Sequence, residues 1–280
     1  MIPIPFDYER ASSIEDALSK LSACGGKFLA GGHSLLPLMK LRMSEPTALV
    51  DIGRIPELSG IREAGGAIEI GAGTTHHDVE TSTLLREKCP MVAAAAGEIG
   101  DPQVRNRGTL GGSLAHADPA ADYPAVMLAL DAEVHLRSAG GARVVKADAF
   151  FQDLFTVDLG PDELLVSVRF APVKAAAYAK LRQRASHFAI VGVAAALQVA
   201  GGTITSARIG VTGAGTHAVR LTAVEQALAG QAATAASCET AAAKATLDDV
   251  NADMHGSADY RKAMLPVFTR RALAAALARA

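Results

Sequence analysis

"KFLAGGHSLLPLMKLRMSEPTALVDIG", residues 27–53, changes texture three times. Phe28 and Leu29 read as the end of a strand and Gly31–Gly32 as a bare hinge. Residues 35–42 follow as a helix, and residues 47–53 as a second strand. A strand–helix–strand unit carries parallel strands with a right-handed crossover, so this stretch predicts a mixed fold of helices and sheets. The hinge "AGGHS", Ala30 to Ser34, has two readings. Without Cβ atoms its glycines can take positive φ and approach a ligand closely. The amides that open the next helix then point outward, where an anion is favoured, and His33 and Ser34 add side-chain donors. The same residues also make a plain tight turn, and the segment is neither G-x-G-x-x-G nor a Walker loop.

Either side of this unit the pattern continues. "SSIEDALSKLSAC" (12–24) predicts a helix capped by Ser12 or Ser13, with Ile14, Ala17, Leu18 and Leu21 on one face. Residues 58–79 predict a hairpin turning at Ala64–Gly66, then a helix capped by Thr74 or Thr75 and running to about Leu85. Residues 91–100 have helical composition. The segment 101–121, rich in glycine and Asp-Pro, predicts a long ordered loop, followed by a helix from Tyr123 to Leu130. Strands are expected at 133–137 and 163–172. The texture changes over 171–180, which reads as a boundary. Beyond it come strands turning at Gly201–Gly202, alanine-rich helices over 221–247 and a last helix over 258–279. In that last helix Leu265, Phe268, Ala272 and Ala276 share a face and Pro266 implies a kink.

Composition excludes several classes. Half of the 280 residues are hydrophobic, enough for a sizeable core, and a net charge of -2 gives no electrostatic case for nucleic acid. Aromatics are only 4% and Trp is absent, which argues against a stacking platform for single strands. No apolar run is long enough to span a bilayer. "MIPIPFDYER" lacks the features of a signal peptide, so a cytoplasmic protein without membrane insertion is expected. Cys24, Cys89 and Cys238 are far apart, which suits neither a disulfide framework nor a cluster-binding motif.

A second glycine-rich stretch, "RGTLGGSLAHADPAADYP" (107–124), sits about 80 residues after the first. Thr109, Gly111, Gly112 and Ser113 again offer bare backbone and hydroxyls. Asp118 and Asp122 could form an acid–base pair or accept from sugar-like hydroxyls, and Asp122 could equally be a helix N-cap. His116 reads as a ligand-facing or an exposed loop imidazole. Arg105 and Arg107 flank the loop, facing phosphate, a partner or water. His76 and His77 are adjacent and diverge, so they do not share a metal. Two glycine-rich backbones from neighbouring strands suit one diphosphate, and hence a dinucleotide.

Six motifs occur in one family's order: "FDY" (6–8), "LAGGHSLLPLMKLR" (29–42), "LVDIG" (49–53), "GAGTTH" (71–76), "IGDPQVRNRGTLGGSLAHADPAADYPA" (99–125) and "YAKLRQRASHFAIVGVAAAL" (178–197). With "SADYRKAMLPVFTRRAL" (257–273) they resemble, over essentially the whole chain, the FAD-binding medium subunit of molybdenum hydroxylases, most nearly the aerobic carbon monoxide dehydrogenase type. The resemblance implies an α+β, vanillyl-alcohol-oxidase-like (PCMH-type) FAD-binding fold. Two subdomains, about 1–55 and 56–175, would clasp FAD, with a small C-terminal α+β domain over 176–280. It further implies that Ala30, Gly31, Gly32, His33, Ser34 and Leu35, with Thr109, Gly111, Gly112 and Ser113, hold the pyrophosphate. Asp122 matches a carboxylate on the ribityl side, Ile99 and Leu165 match apolar positions near the flavin, and Lys180 and Phe188 match positions around its ring. Ser113 replaces the usual Asn and keeps a donor with shorter reach. Phe188 stands where a Tyr is found, so it can cover the ring but lacks the hydroxyl. The implied partners are a large molybdenum-cofactor subunit and a small subunit with two [2Fe–2S] clusters, in a dimer of heterotrimers. An autonomous FAD oxidoreductase of the same fold and a flavin-free binding module are the alternatives.

Overall fold

The computed structural model describes residues 2–280. The first layer is a three-stranded parallel sheet, β1 (Asp7–Arg10), β2 (Lys27–Leu29) and β3 (Ala48–Asp51), in the order β1-β3-β2. Between the strands lie α1 (Ile14–Cys24) and α2 (Leu35–Lys40), as the opening stretch predicts. Helix α1 starts where Ser13 Oγ accepts from the Asp16 amide at 3.1 Å and stops at left-handed Gly25. Its Ile14, Ala17, Leu18 and Leu21 bury against Val50, Ile52, Ile55 and Leu58. The last of these belongs to a single 3-10 turn at Pro56–Leu58.

The second layer is the five-stranded antiparallel sheet β4-β5-β10-β6-β7. Hairpin β4 (Ile61–Ala64) and β5 (Ala67–Gly71) turns at Gly65–Gly66, both with positive φ. Six helices follow: α3 (His76–Thr81), α4 (Thr83–Lys88), α5 (Pro90–Gly97), α6 (Pro102–Arg105), α7 (Leu110–His116) and α8 (Asp122–Ala129). Then come β6 (Glu133–Ser138), β7 (Gly141–Lys146), the short α9 (Ala147–Phe150), the small pair β8 (Phe151–Asp153) and β9 (Thr156–Val157), and β10 (Leu164–Phe170). Met91, Val92, Ala95 and Ala96 of α5 and nearly all of α8 pack on Ile68, Ile70, Val134 and Val168.

The third layer is the antiparallel sheet β11 (Ala176–Arg182), β12 (Ala189–Ala200), β13 (Thr203–Thr212) and β14 (Val219–Arg220), covered by α10 (Thr222–Leu228), α11 (Ala235–Ala242) and α12 (Ala258–Leu277). Leu265, Phe268, Ala272 and Ala276 are buried as their spacing predicts, and α12 runs through Pro266 without a break. Helix α8 also lies against this sheet. A Cβ on Gly210 of β13 would fall 2.1 Å from the Ala125 carbonyl oxygen, so only glycine permits that approach. The start of α8 is thereby set beside β11.

The structure departs from several of these expectations. The helix predicted from Thr75 to Leu85 is two helices, because Ser82 is extended and its Oγ caps α4 through the Leu85 amide at 3.3 Å. The predicted loop over 101–121 contains α6 and α7: Asp101 caps the first, and Thr109 caps the second through the Gly112 amide. Strand β11 begins inside the stretch 171–180, and its alanines lack alternation but pair in register with β12. Asp122 is not an N-cap. Ala121 holds that position, and Asp122 is the first helical residue, buried.

Candidate functional site

The first glycine turn leaves β2 at Leu29 and enters α2 at Leu35. Gly32 has φ 77°, a left-handed conformation that glycine adopts without a steric penalty. The Leu36 amide bonds back to the Gly32 carbonyl at 3.0 Å. The amides of Gly31, Gly32, His33 and Ser34 find no acceptor among the described residues. His33 and Ser34 are exposed, and the Ser34 side chain makes no cap. This turn presents a row of free donors.

The second turn uses its donors internally. Leu110 donates to the Thr74 carbonyl at 3.0 Å, Gly111 to Ala72 at 2.8 Å, Gly112 to Thr109 Oγ1 at 3.1 Å and Ser113 to the Thr109 carbonyl at 3.0 Å. Gly111 is there for closeness, since its Cβ would lie 2.4 Å from the Ala72 Cβ. The two turns touch. A Cβ on Gly31 would fall 2.2 Å from the Arg107 carbonyl oxygen, and one on Gly112 would come within 4.0 Å of the Ala30 Cβ. Behind the contact, the amide of buried His76 donates to the Gly108 carbonyl at 2.9 Å. Burial pushes its imidazole down to about 4, helped by the charges of His33 and Arg105. Its Nδ1 and the hydroxyl of Tyr123, rings 5.3 Å apart, have no partner among the described residues.

Of the flanking arginines, Arg105 is structural. Its Nε meets Glu80 Oε2 at 2.8 Å, and its Nη1 donates to the carbonyls of Ile99 and Gly100. Arg107 is exposed and forms no ion pair among the described residues, leaving a free cation next to both turns.

A third group of residues joins α8 to β11. Asp122 Oδ2 pairs with Lys180 Nζ at 2.8 Å, and Oδ1 accepts from the Tyr178 hydroxyl at 2.5 Å. Lys180 also donates to the Glu98 carbonyl at 2.9 Å. Burial raises the Asp122 carboxyl to about 6, against the opposing pull of Lys180 and Tyr178. Ile99 therefore lies between two residues held from β11 and from the β11–β12 turn, because His187 Nδ1 sits 2.7 Å from the Gly100 oxygen. Phe188, next to His187, is half exposed. Leu165 is buried in the main core, opposite Leu136.

The chain matches the profile of the FAD binding domain in molybdopterin dehydrogenase over residues 4–173 and that of the CO dehydrogenase flavoprotein C-terminal domain over 176–276. It is 41% identical to the carbon monoxide dehydrogenase medium chain of Hydrogenophaga pseudoflava, covering 100% of this chain and 99% of that one. It is also 41% identical to the 6-hydroxypseudooxynicotine dehydrogenase complex subunit alpha of Paenarthrobacter nicotinovorans, over 100% and 97% of the two chains. The solved carbon monoxide dehydrogenase from Hydrogenophaga pseudoflava superposes with a TM-score of 0.95, covering 100% of this chain and 99% of that chain at 42% identity. The chain belongs to the FAD-binding medium subunits of the molybdenum hydroxylases.

In this flavoprotein subunit, the structure brings most of the predicted site residues into two groups. Ala30 to Leu35 meet Thr109 to Ser113 at the paired turns, and Asp122 and Lys180 pair beside Ile99 at the β11 seam, whereas Phe188 is half exposed next to His187 and Leu165 lies apart in the main core. Asp118 holds the Ala120 amide at 2.8 Å and is no partner of Asp122. His116 ends α7 with its ring 5.1 Å from Phe155. Among the described residues no cluster suited to a metal occurs, and all three cysteines are free, Cys89 pushed up to about 12 by burial. Sequence reading missed Tyr178. Its one signal was position, two residues before Lys180 and so on the same face of a strand. Among the described residues no helix is long and apolar enough to cross a membrane.

Proposed function

We propose that this chain binds FAD across its two glycine turns and works as the electron-transfer flavoprotein of a molybdenum hydroxylase complex. Electrons would come from a large molybdenum-cofactor subunit through the [2Fe–2S] clusters of a small subunit, and leave from the flavin to an external acceptor. The observation that carries this reading is the contact at Gly31. There a turn with four free amides is pressed against the Arg107–Gly108 backbone, with room for no side chain between them.

The donor set suits a diphosphate. Free amides of the first turn and the Arg107 guanidinium supply positive potential, while the second turn supplies a rigid wall. Neutral His76 stiffens that wall from behind without adding charge. At the seam, Asp122 and Lys180 hold opposite charges in a dry environment, where each fixes the other's position. The chain's own work is to bind, orient and shield; FAD, when bound, supplies the ability to take and release electrons. We read the assembly as a dimer of heterotrimers in the cytoplasm, with the chain's functional domains dividing near residue 175.

The substrate is not written in this chain. Relatives at the same 41% identity carry the names of dehydrogenases for carbon monoxide and for 6-hydroxypseudooxynicotine, which supports the reading that substrate choice lies with another subunit. The test is the visible spectrum of the purified chain, alone and after incubation with FAD. Stoichiometric flavin is expected, with no rapid oxidation of an organic substrate by the isolated chain. A chain that neither carries nor takes up FAD would overturn the proposal.

A further inference from the structure

Asp122 offers two carboxylate oxygens, and both are taken inside the protein. Lys180 Nζ holds Oδ2 at 2.8 Å and the Tyr178 hydroxyl holds Oδ1 at 2.5 Å. Both donors come from one face of β11, spaced two residues apart. Lys180 in turn spends a second of its three N–H donors on the Glu98 carbonyl, leaving one. The side chains of Asp122 and Lys180 are 5% and 1% exposed, so water cannot replace a missing partner. Space for the tyrosine is provided by a glycine. A Cβ on Gly192, in the neighbouring strand β12, would lie 2.2 Å from the Tyr178 hydroxyl oxygen. Within this arrangement the geometry of the carboxylate is set by the tyrosine as much as by the lysine.

We propose that Tyr178 is a positioning residue for the flavin site: its hydroxyl anchors one oxygen of Asp122, so that the other holds the Lys180 ammonium in place beside Ile99. The proposal rests on the reading of Asp122 and Lys180 as flavin-facing residues. Its local claim, that Tyr178 keeps the buried carboxyl in its ionised form, stands on the protein alone. Tyr178 is suited to donate, since burial and the Asp122 charge push its own ionisation well up, so it stays protonated. The groups that face Asp122 come from several elements. Strand β11 brings Lys180 and Tyr178, and the end of α5 brings Glu98, whose negative charge opposes ionisation. Strand β12 brings Gly192, and β13 brings the Thr212 hydroxyl, which donates to the carbonyls of Pro119 and Ala121. Next in sequence, Tyr123 is buried and protonated. Removing the Tyr178 hydroxyl therefore removes one of only two donors that favour the carboxylate.

The experiment compares wild type, Tyr178→Phe, Gly192→Ala and Asp122→Asn in the full chain. The carboxylic-acid infrared band that Asp122→Asn abolishes is followed against pH in the apoprotein. Its midpoint is expected to rise by about one pH unit in Tyr178→Phe, since a hydrogen bond to a charged group is worth at least that much. Gly192→Ala, which displaces the hydroxyl while leaving the tyrosine in place, is expected to shift it the same way. In FAD-loaded protein, the pH below which flavin affinity falls should move upward by the same interval. A midpoint that stays put in Tyr178→Phe, whatever happens to stability, would reduce Tyr178 to packing and overturn the proposal. A wild type without FAD would sink the flavin reading instead, while the apoprotein titration still decides the role of Tyr178.

Discussion

The two glycine turns look alike in sequence and differ in physics. "AGGHS" keeps the amides of Gly31 to Ser34 free and the side chains of His33 and Ser34 exposed, and it needs glycine at position 32 for a left-handed backbone. "TLGGS" has every amide from Leu110 to Ser113 bonded within the protein, and it needs glycine at position 111 for close packing on Ala72. One turn is a donor surface and the other is the brace behind it. A motif rich in glycine is thus ambiguous between offering a backbone and hiding one, and only the fate of its N–H groups separates the two.

Folding stability is the scale on which this contrast can be attacked. Gly31→Val is expected to cost the most, about 3 kcal/mol, because its side chain enters the backbone of Arg107–Gly108 and must push the turns apart. Denaturant melts should show the loss and FAD uptake should vanish with it; an unperturbed melt would mean the turns are not in contact.

An intermediate effect should appear as pH dependence. Buried His76 stays neutral down to about 4, whereas an unfolded histidine protonates near 6.5. Its contribution is therefore complete above 6.5 and is lost as pH falls toward 4. Asp122 works in the opposite sense. Its folded value of about 6 lies above the ordinary 3.8, so its contribution falls as pH rises between those values. In the wild type the two slopes offset each other between 4 and 6. His76→Asn should expose a stability that declines with pH, and Asp122→Asn one that climbs, each by up to about 1.4 kcal/mol per pH unit. Parallel pH profiles in both variants would show that neither group carries the linkage.

The smallest change in stability is expected for Gly112→Val, about 1 kcal/mol, through crowding of the Thr109 cap at 2.8 Å. Its side chain would nonetheless extend toward Ala30 across the face where the turns meet. Flavin affinity should collapse in a chain that still melts nearly as the wild type does. Calorimetric titration with FAD reads this directly, and retained affinity would remove the second turn from the binding surface.

The parallel unit around residues 27–53 was legible because strand, hinge and helix each announce themselves by local pattern. The amphipathic α1 and the face of α12 were legible for the same reason. The helix at Leu110–His116 was not, since two glycines in seven residues contradict helix propensity and only tertiary contact with Ala72 explains them. Strand β11 was hidden by alanines that show no alternation. At the site, the turns could be read as candidates, but that amides 110–113 are consumed is a property of long-range partners at Ala72 and Thr74. The pairing of Asp122 with Lys180 and Tyr178 spans more than 50 positions of sequence, and no local pattern encodes it.

That pairing has a consequence for how such chains can be recombined. The carboxylate lies in the first matched profile and its counter-charge in the second, so a crossover between the two, after residue 173 and before 176, inherits the two halves from different parents. A chimera joined there keeps its buried charge balanced only if both parents agree at positions 122, 178, 180 and 192. The first turn of α8 and the strand pair β11–β12 therefore form a single unit of exchange, although they fall in two different matched profiles, over residues 4–173 and 176–276.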